Sequence, residues 1–284
     1  MKPQFNNYLL SSSILWLDNV LQFKGEAYYN TPLSFYPINS NFRGVYFYSS
    51  PYKQLCYDQS ITGVNVATGV YLNGNYLTVG TSGFLGINFE EGAVMFTGRL
   101  PTNSSLTGYY GVKEFNVKTI SEPEERLLLE RKYYRKNLIV QQSGNFTNEQ
   151  PIPAIYIRLE KQDNQEYALG GQEYSNRNFI VTILAESQFQ LDAVKSLIVD
   201  QTRCYIPVFS PSELPFDNMY RLRSDFNYTG ITYNRQITGQ AAFIKEINSY
   251  SFDSNLMNEL RKINPDIYVG IMELETEIIR YPRI

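Results

Sequence analysis

The sequence predicts an α+β fold, in which an N-terminal antiparallel β-domain, a sandwich or a barrel, precedes a C-terminal α/β domain. Residues 28–120 alternate aromatic and β-branched residues with turn residues, a pattern typical of short antiparallel strands. Residues 154–284 alternate strand-like with helix-like segments. A chain of 284 residues is also long for one hydrophobic core, which usually stops growing at roughly 250–300 residues. Two domains are therefore expected.

The first element is a helix at residues 5–21, within an N-terminal helical segment that we assign to residues 1–27. Its apolar residues recur near helical spacing, at Leu9, Leu10, Ile14, Leu17 and Leu21. Gly25 follows and ends the helix. The start of the chain lacks a charged segment followed by a long apolar run, so no targeting segment is expected.

The β-domain at residues 28–120 contains two predicted hairpins. Asn73-Gly74 lies at the centre of residues 70–79 and can adopt the positive φ angles that a two-residue hairpin turn requires. Residues 90–92 connect a second pair of strands within residues 85–96. Further strands are predicted at residues 44–48 and 112–120.

Residues 121–153 are predicted to be a helix followed by a linker. Ser121 caps the helix, acidic residues occupy its first turn and basic residues follow, which complements the helix dipole. Residues 141–153 are polar and then interrupted by proline. In the domain at 154–284 we expect strands at 154–159, 178–184, 205–208, 239–249 and 267–281, helices at 187–202 and 251–263, and an extended loop at 210–218. The unbroken apolar run at 178–184 indicates a central strand.

The composition excludes several classes of function. The chain has no histidine, which removes Ser-His-Asp and Cys-His nucleophiles and histidine-based zinc sites, and its two cysteines cannot supply four thiolates. Cys56 and Cys204 are expected to be small buried hydrophobic residues rather than a disulfide framework. The 25 basic and 28 acidic residues give a net charge of −3, whereas nucleic-acid readers usually carry a basic excess. No cofactor and no metal are expected.

No motif in the chain supports catalysis. Gly80, Gly83 and the pair Gly170-Gly171 lack the spacing of a phosphate-binding loop and are expected to be turn residues. The carboxylate pairs Glu90-Glu91 and Glu124-Glu125 are adjacent in sequence, which supplies none of the geometry that a hydrolase needs. A hydrolase that uses carboxylates alone stays open as a hypothesis, beside the two that are given at the end of this subsection.

The last strand carries an acidic stripe. Met272, Leu274, Thr276 and Ile278 fall on one face, and Glu273, Glu275 and Glu277 fall on the other, about 7 Å apart per step. One interpretation is a solvated outer face of an antiparallel sheet. The other is an acidic surface that faces a partner or a channel. Repeated around a ring, this stripe would make the lumen negative, so that DNA phosphates are repelled rather than held.

The chain contains 24 tyrosines and 17 phenylalanines, which together with one tryptophan make 15% of its residues. Tyrosine and other aromatic residues are enriched in protein interfaces. A β-rich chain that is rich in tyrosine and has no histidine therefore favours an assembly protein over an enzyme.

Several segments resemble virion structural proteins of tailed bacteriophages. They are SSPYKQLCYDQS at 49–60, GVYLNG at 69–74, GFLGINFEEGAV at 83–94, KEFNV at 113–117, EERLLLE at 124–130, ALGG at 168–171 and AESQFQLDAV at 185–194. The order of elements in residues 154–284 is similar to the α/β fold of tail-terminator and neck proteins. Those proteins form rings, most often six-fold, at the head–tail joint.

This resemblance implies a non-enzymatic virion component that forms a homo-oligomeric ring, with a hexamer expected, at the neck or tail end as a tail-terminator or head–tail joining protein. Its partners would be copies of itself, neighbouring neck, tail-tube or portal-side proteins, and DNA in transient passage, with no membrane. Its location would be the virion, and the host cytoplasm during assembly. Glu273, Glu275 and Glu277 are the candidate lumen-facing residues. The alternative is a tail-tip, baseplate or head-decoration module whose exposed aromatic residues bind sugar rings or a receptor.

Overall fold

The computed structural model describes residues 4–42, 44–120, 133–134, 150–168, 171–210, 212–216, 226–232, 240–250 and 267–280. Over these residues the fold is α+β, as predicted, and consists mostly of strands. The chain divides into two compact units. Residues 27–114 and 214–229 form one, here called the β unit, and residues 1–26, 115–213 and 230–284 form the other, here called the mixed unit.

The β unit contains two antiparallel sheets of four strands each, with orders β1-β8-β4-β5 and β2-β3-β7-β6. The strands are β1 Tyr28–Ser34, β2 Tyr36–Phe42, β3 Val45–Ser49, β4 Gly69–Leu72, β5 Asn75–Thr78, β6 Phe84–Asn88, β7 Ala93–Phe96 and β8 Leu106–Lys113. Every residue of β7 is buried. In β8 the first residues alternate between buried and exposed, which indicates that one face of the sheet β1-β8-β4-β5 is exposed to solvent there.

Both predicted hairpins of the β unit are confirmed. Between β4 and β5, Asn73 and Gly74 adopt φ angles of 51° and 83°, as a two-residue turn with two left-handed residues requires. Between β6 and β7, Gly92 has a φ angle of 57°, and a Cβ atom there would lie 1.9 Å from the carbonyl oxygen of Tyr52. Only glycine fits this second turn without moving the backbone.

Residues 214–229 join the β unit through a cluster of aromatic rings and a buried carboxylate. The ring of Phe216 lies 4.7 Å from that of Tyr57, and Phe226 lies 5.9 Å from the same tyrosine. The Asp58 carboxylate, 2% exposed, accepts hydrogen bonds from the Ser60 backbone and hydroxyl and from the Tyr228 backbone at 3.2 Å. A segment from the second half of the chain thus completes a unit whose strands all come from the first half.

The mixed unit is built on a six-stranded sheet with the order β14-β15-β16-β13-β12-β9. Its elements are α1 Phe5–Phe23, β9 Asn116–Thr119, β10 Tyr133–Tyr134, β11 Gln150–Pro151, β12 Ala154–Ala168, β13 Gln172–Ala185, α2 Gln188–Val199, β14 Tyr205–Pro207, β15 Ala241–Tyr250 and β16 Tyr268–Arg280. The pairs are antiparallel, except that β9 runs parallel to β12. β10 and β11 form a separate two-residue parallel pair.

Most predicted elements of this unit are confirmed. β13 is an internal strand, as its apolar run indicated. Ser187 caps α2 by accepting a hydrogen bond from the Gln190 backbone, and β16 closes the described chain as one long strand. The helix predicted to begin at Ser121 lies outside the described residues except at 133–134, which form the strand β10 because they pair with Gln150 and Pro151, so the helix prediction is wrong there. The helix predicted at 251–263 and most of the linker at 141–153 also lie outside the described residues.

Two segments differ from the sequence prediction. The strand predicted at 112–120 is two strands, because β8 ends at Lys113 and β9 pairs with Ala154–Ile157 in the other unit. The N-terminal helix is part of the mixed unit, where the Ser12 hydroxyl accepts a hydrogen bond from the Phe209 backbone at 2.8 Å. Both differences arise from long-range contacts, which a local pattern does not contain.

Cys56 is buried, Cys204 is half-buried, and both are free thiols. Cys56 therefore matches the prediction of a small buried residue, and Cys204 matches it in part. Neither α1 nor α2 combines the length and the apolar character that a bilayer crossing demands, and the same is true of every helix within the described ranges.

Candidate functional site

The two faces of the six-stranded sheet differ in what covers them. A Cβ atom on Gly270 would lie 2.7 Å from Leu191 and 2.6 Å from Lys195, so α2 packs closely against β16 on that face. The predicted inward residues Met272, Leu274, Thr276 and Ile278 lie on the same face and are at most 6% exposed. The glutamates of β16 alternate with them and point to the opposite side, where they are half-buried.

Four carboxylates gather on this second face, here called the acidic face: Glu246, Glu273, Glu275 and Glu277. The first comes from β15, where it pairs directly with Glu275. Like charges in directly opposed positions of a sheet are destabilising. The concentration of four carboxylates on two paired strands makes the acidic face the candidate functional site.

Neighbouring polar side chains fix two of the glutamates. Glu273 accepts hydrogen bonds from the Tyr250 hydroxyl at 2.7 Å and from the Asn178 amide at 2.9 Å. Glu277 accepts a hydrogen bond from the Tyr174 hydroxyl. Glu275 has no hydrogen-bond partner within the part of the chain that the structure describes. The outer two carboxylates are thus held in place by their neighbours.

The two tyrosines respond electrostatically to these carboxylates. The hydrogen bond to Glu277, followed by partial burial, raises the pKa of Tyr174 to about 12. The hydrogen bond to Glu273 raises the pKa of Tyr250 in the same direction. Both phenols therefore stay protonated and act as hydrogen-bond donors at neutral pH.

The acidic face is bordered by positive charge on one side. Arg158 and Lys161 of β12 pair in register with Ile180 and Asn178 of β13, one strand removed from the glutamates. Arg158 lies 3.9 Å from the carboxylate of Glu160 on its own strand. Asp163 of β12 also lies on this face, opposite Asn176. The four glutamates on β15 and β16 therefore form the acidic part of the face, whereas β12 carries charges of both signs.

A groove of about 1150 Å³ lies beside Glu277 at the end of the sheet. Aromatic side chains from α1, β14 and β15 line it, among them Phe5, Tyr205 and Phe243. Arg280, also in the lining, binds Glu173 at 3.2 Å and stacks over the ring of Phe5 at 4.7 Å. The charged groups that line this groove at the end of β16 are thus engaged with protein neighbours.

The structure brings together the three glutamates that the sequence singled out. Sequence reasoning missed Glu246, Tyr174, Tyr250 and Asn178, because their proximity depends on strand register. The alternation of side chains along β13 and β15 could have shown which residues share a face of the sheet. It could not have shown which residue of the neighbouring strand lies beside each of them, because that depends on register. The other carboxylate pairs do not join this site: Glu91 binds Lys53 at 3.3 Å in the β6–β7 turn, and Glu124 and Glu125 lie outside the described residues.

The glycines excluded as phosphate binders are confirmed as turn residues where they are described. Gly80, Gly83 and Gly171 have φ angles of 91°, 76° and 79°.

No family model and no curated protein matches the sequence.

Proposed function

We propose that the chain is a non-enzymatic structural component of a tailed-bacteriophage virion, and that its copies form a ring at the neck or tail end, as a tail-terminator or head–tail joining protein. The observation that carries the proposal is the asymmetry of the six-stranded sheet. Helices pack against one face, and the other carries four carboxylates on two neighbouring strands. This asymmetry suits a subunit whose helices lie outside a ring and whose sheet lines the hole.

In this proposal the acidic face lines the passage for DNA. Carboxylates repel phosphates, so a duplex passes without the attraction that basic side chains would cause. The Tyr174 and Tyr250 hydroxyls hold Glu277 and Glu273 and so keep two charges in fixed positions. Repulsion between charges separated by solvent weakens as salt rises, with a screening length of about 8 Å at physiological ionic strength.

Open edges of the same sheet support contact between copies. β9 pairs only with residues 154–157 of β12, and β14 pairs only with residues 241–243 of β15. Residues 158–168 and 245–250 therefore have no described strand beside them on that side. The two edges differ from each other, so the β12 edge of one copy can pair with the β15 edge of the next. Such head-to-tail contacts close into a ring when the rotation between neighbouring copies divides a full turn evenly. Charged side chains on the first edge, such as Glu160 and Lys161, would limit indiscriminate pairing.

The first test of this proposal is negative-stain microscopy of the purified full-length protein. Class averages of closed rings with a central hole are expected, with six-fold symmetry. Monomers or compact trimers in solution, together with no ring density for this protein in the virion, would contradict the proposal.

The second test is charge reversal in the phage. A variant with Glu273→Lys, Glu275→Lys and Glu277→Lys should assemble particles but lose infectivity, because DNA would be held in the passage. The matched control reverses three exposed carboxylates, one on the β6–β7 turn, one on α2 and one on the residue that follows α2, with Glu91→Lys, Asp192→Lys and Asp200→Lys. Normal infectivity in the first variant, or equal loss in both, would remove the assignment of the acidic face to the lumen.

A further inference from the structure

Three half-exposed tyrosines lie side by side on the outer face of the sheet β1-β8-β4-β5. Tyr71, Tyr76 and Tyr109 are 44%, 46% and 55% exposed. Tyr71 pairs with Tyr76 across the β4–β5 hairpin and with Thr107 on its other side. Tyr109 is two residues along β8 from Thr107, so the three rings occupy adjoining outward positions.

This surface, here called the tyrosine face, consists of the three tyrosines and the outward residues around them. Those residues are Pro32, Ser34, Thr78 and Thr107, all exposed, and Gly69 beneath the rings. None of these positions carries a charge. Apart from the backbone, their polar groups are hydroxyls, each of which can donate and accept a hydrogen bond.

Two of the three rings, those of Tyr71 and Tyr76, are held in place before any ligand binds. The Tyr71 and Tyr76 centroids lie 5.1 Å apart at 57°, and the Tyr76 hydroxyl is 2.7 Å from the Thr68 hydroxyl. The Tyr76 ring lies over Gly69, because a Cβ atom at Gly69 would come within 2.7 Å of its Cζ atom. Below the sheet, the buried Tyr110 hydroxyl donates a hydrogen bond to the Gly69 carbonyl. A surface arranged in this way loses little side-chain entropy when it binds.

We propose that the tyrosine face binds a neutral polysaccharide. A sugar ring presents an apolar C–H face and a rim of hydroxyls, and a tyrosine presents an apolar ring with a polar tip, so the two surfaces match in both respects. The absence of charge leaves nothing to attract an anionic or cationic ligand. Protein interfaces usually combine aromatic anchors with arginine, and no cation stands at these positions. This binding does not depend on ring formation, because all these residues belong to the β unit.

The test is retardation of the full-length chain in native gels that contain dextran, mannan or a soluble β-glucan, with hyaluronan as the acidic comparison. Calorimetry with an oligosaccharide of the retarding polymer then gives the Kd. The variants are Tyr71→Thr, Tyr76→Thr and Tyr109→Thr, because threonine preserves strand propensity while it removes the ring. The matched control is Tyr36→Thr, which removes a tyrosine of 54% exposure from β2 of the other sheet.

At least one neutral polymer is expected to retard the protein, and each tyrosine-face variant should weaken Kd roughly three- to tenfold, as expected for the loss of one ring contact. Tyr36→Thr should bind like the unmodified chain. Circular dichroism and thermal melting verify that each variant is folded. A Tyr76→Phe variant keeps the ring and should retain most of the affinity, which separates stacking from a folding defect.

Four results would overturn the proposal. They are no retardation by any neutral polymer, retardation by hyaluronan alone, equal weakening by Tyr36→Thr, or a change of oligomeric mass in the tyrosine-face variants. The last result would mean that another copy of the chain covers this face. Ring formation is measured separately by microscopy, so a chain that forms rings and binds no sugar, or the reverse, distinguishes this proposal from the virion role.

Discussion

Replacement of Gly69 by alanine tests the close packing of the β4–β5 hairpin. A Cβ atom at this position would lie 2.2 Å from the Leu77 carbonyl oxygen and 2.7 and 2.8 Å from Cζ and Oη of Tyr76. The tyrosine can swing outward, but the carbonyl belongs to the backbone of the paired strand. The hairpin strands must therefore separate by about 1 Å before the methyl group reaches an ordinary contact distance, because packed backbone has little room to yield.

The expected cost is about 1–3 kcal/mol, the usual range for an extra methyl group in a filled site. Alanine restricts the unfolded chain more than glycine does, which offsets about 0.4–1 kcal/mol of that cost. For a domain of roughly 100 residues, each remaining kcal/mol lowers Tm by about 4–8 °C. Gly98→Ala is the control, because a Cβ atom at Gly98 meets nothing within 4 Å.

The assay is urea unfolding followed by near-ultraviolet circular dichroism, which reports on packed tyrosine rings. Gly69→Ala should shift the transition of the β unit to lower urea, while Gly98→Ala should leave it within about 0.5 kcal/mol of the unmodified chain. If the two variants unfold at the same urea concentration, β4 and β5 do not approach as closely at Gly69 as described.

Two further predictions concern a buried carboxylate and a phenol. Asp58→Ala should destabilise the β unit by about 2–4 kcal/mol, because the Ser60 and Tyr228 amides lose their acceptor. Limited proteolysis should then cut within residues 214–229, whereas Asp58→Asn, which keeps an acceptor oxygen, should resist; equal cutting of both would count against this role. The pKa of Tyr174 is about 12 when folded, above its ordinary 10.0. The stability from its bond to Glu277 is therefore complete below pH 10 and lost as pH rises toward 12. Urea midpoints at pH 8 and 11 should differ less in Tyr174→Phe than in the unmodified chain, and equal differences would refute this coupling.

Local patterns predicted those parts of the fold in which the relevant contacts are close in sequence. Asn73-Gly74 requires positive φ angles, so the hairpin it forms is determined by two residues. The alternation of β16 predicted which side chains are buried, because one face packs beneath helices. The helix predicted at residues 187–202 is α2, Gln188–Val199, which Ser187 caps.

Contacts between distant segments could not be predicted in this way. The pairing of β9 with β12 and the docking of Phe216 and Phe226 on Tyr57 each join residues that are far apart in the chain. In the acidic face, the sequence identified three glutamates but not Glu246, whose position opposite Glu275 follows from a bulge in β15. The aromatic excess likewise does not indicate which tyrosines share a face, and the interaction surface that it suggests stays a prediction.

The interleaved composition of the two units has a consequence for synthesis on the ribosome. The strands of the β unit are complete once residue 114 has emerged, yet Phe216, Phe226 and the Tyr228 amide arrive more than a hundred residues later. At about 5–20 residues per second this delay is on the order of ten seconds. Throughout this delay the Tyr57 ring has Phe89 beside it but lacks Phe216 and Phe226. The interval between the synthesis of α1 and that of β14 is longer still. During this interval the surface of Tyr57 on which Phe216 and Phe226 pack is uncovered on the nascent chain, and a fragment that ends at residue 120 lacks the segment that completes the core of the β unit.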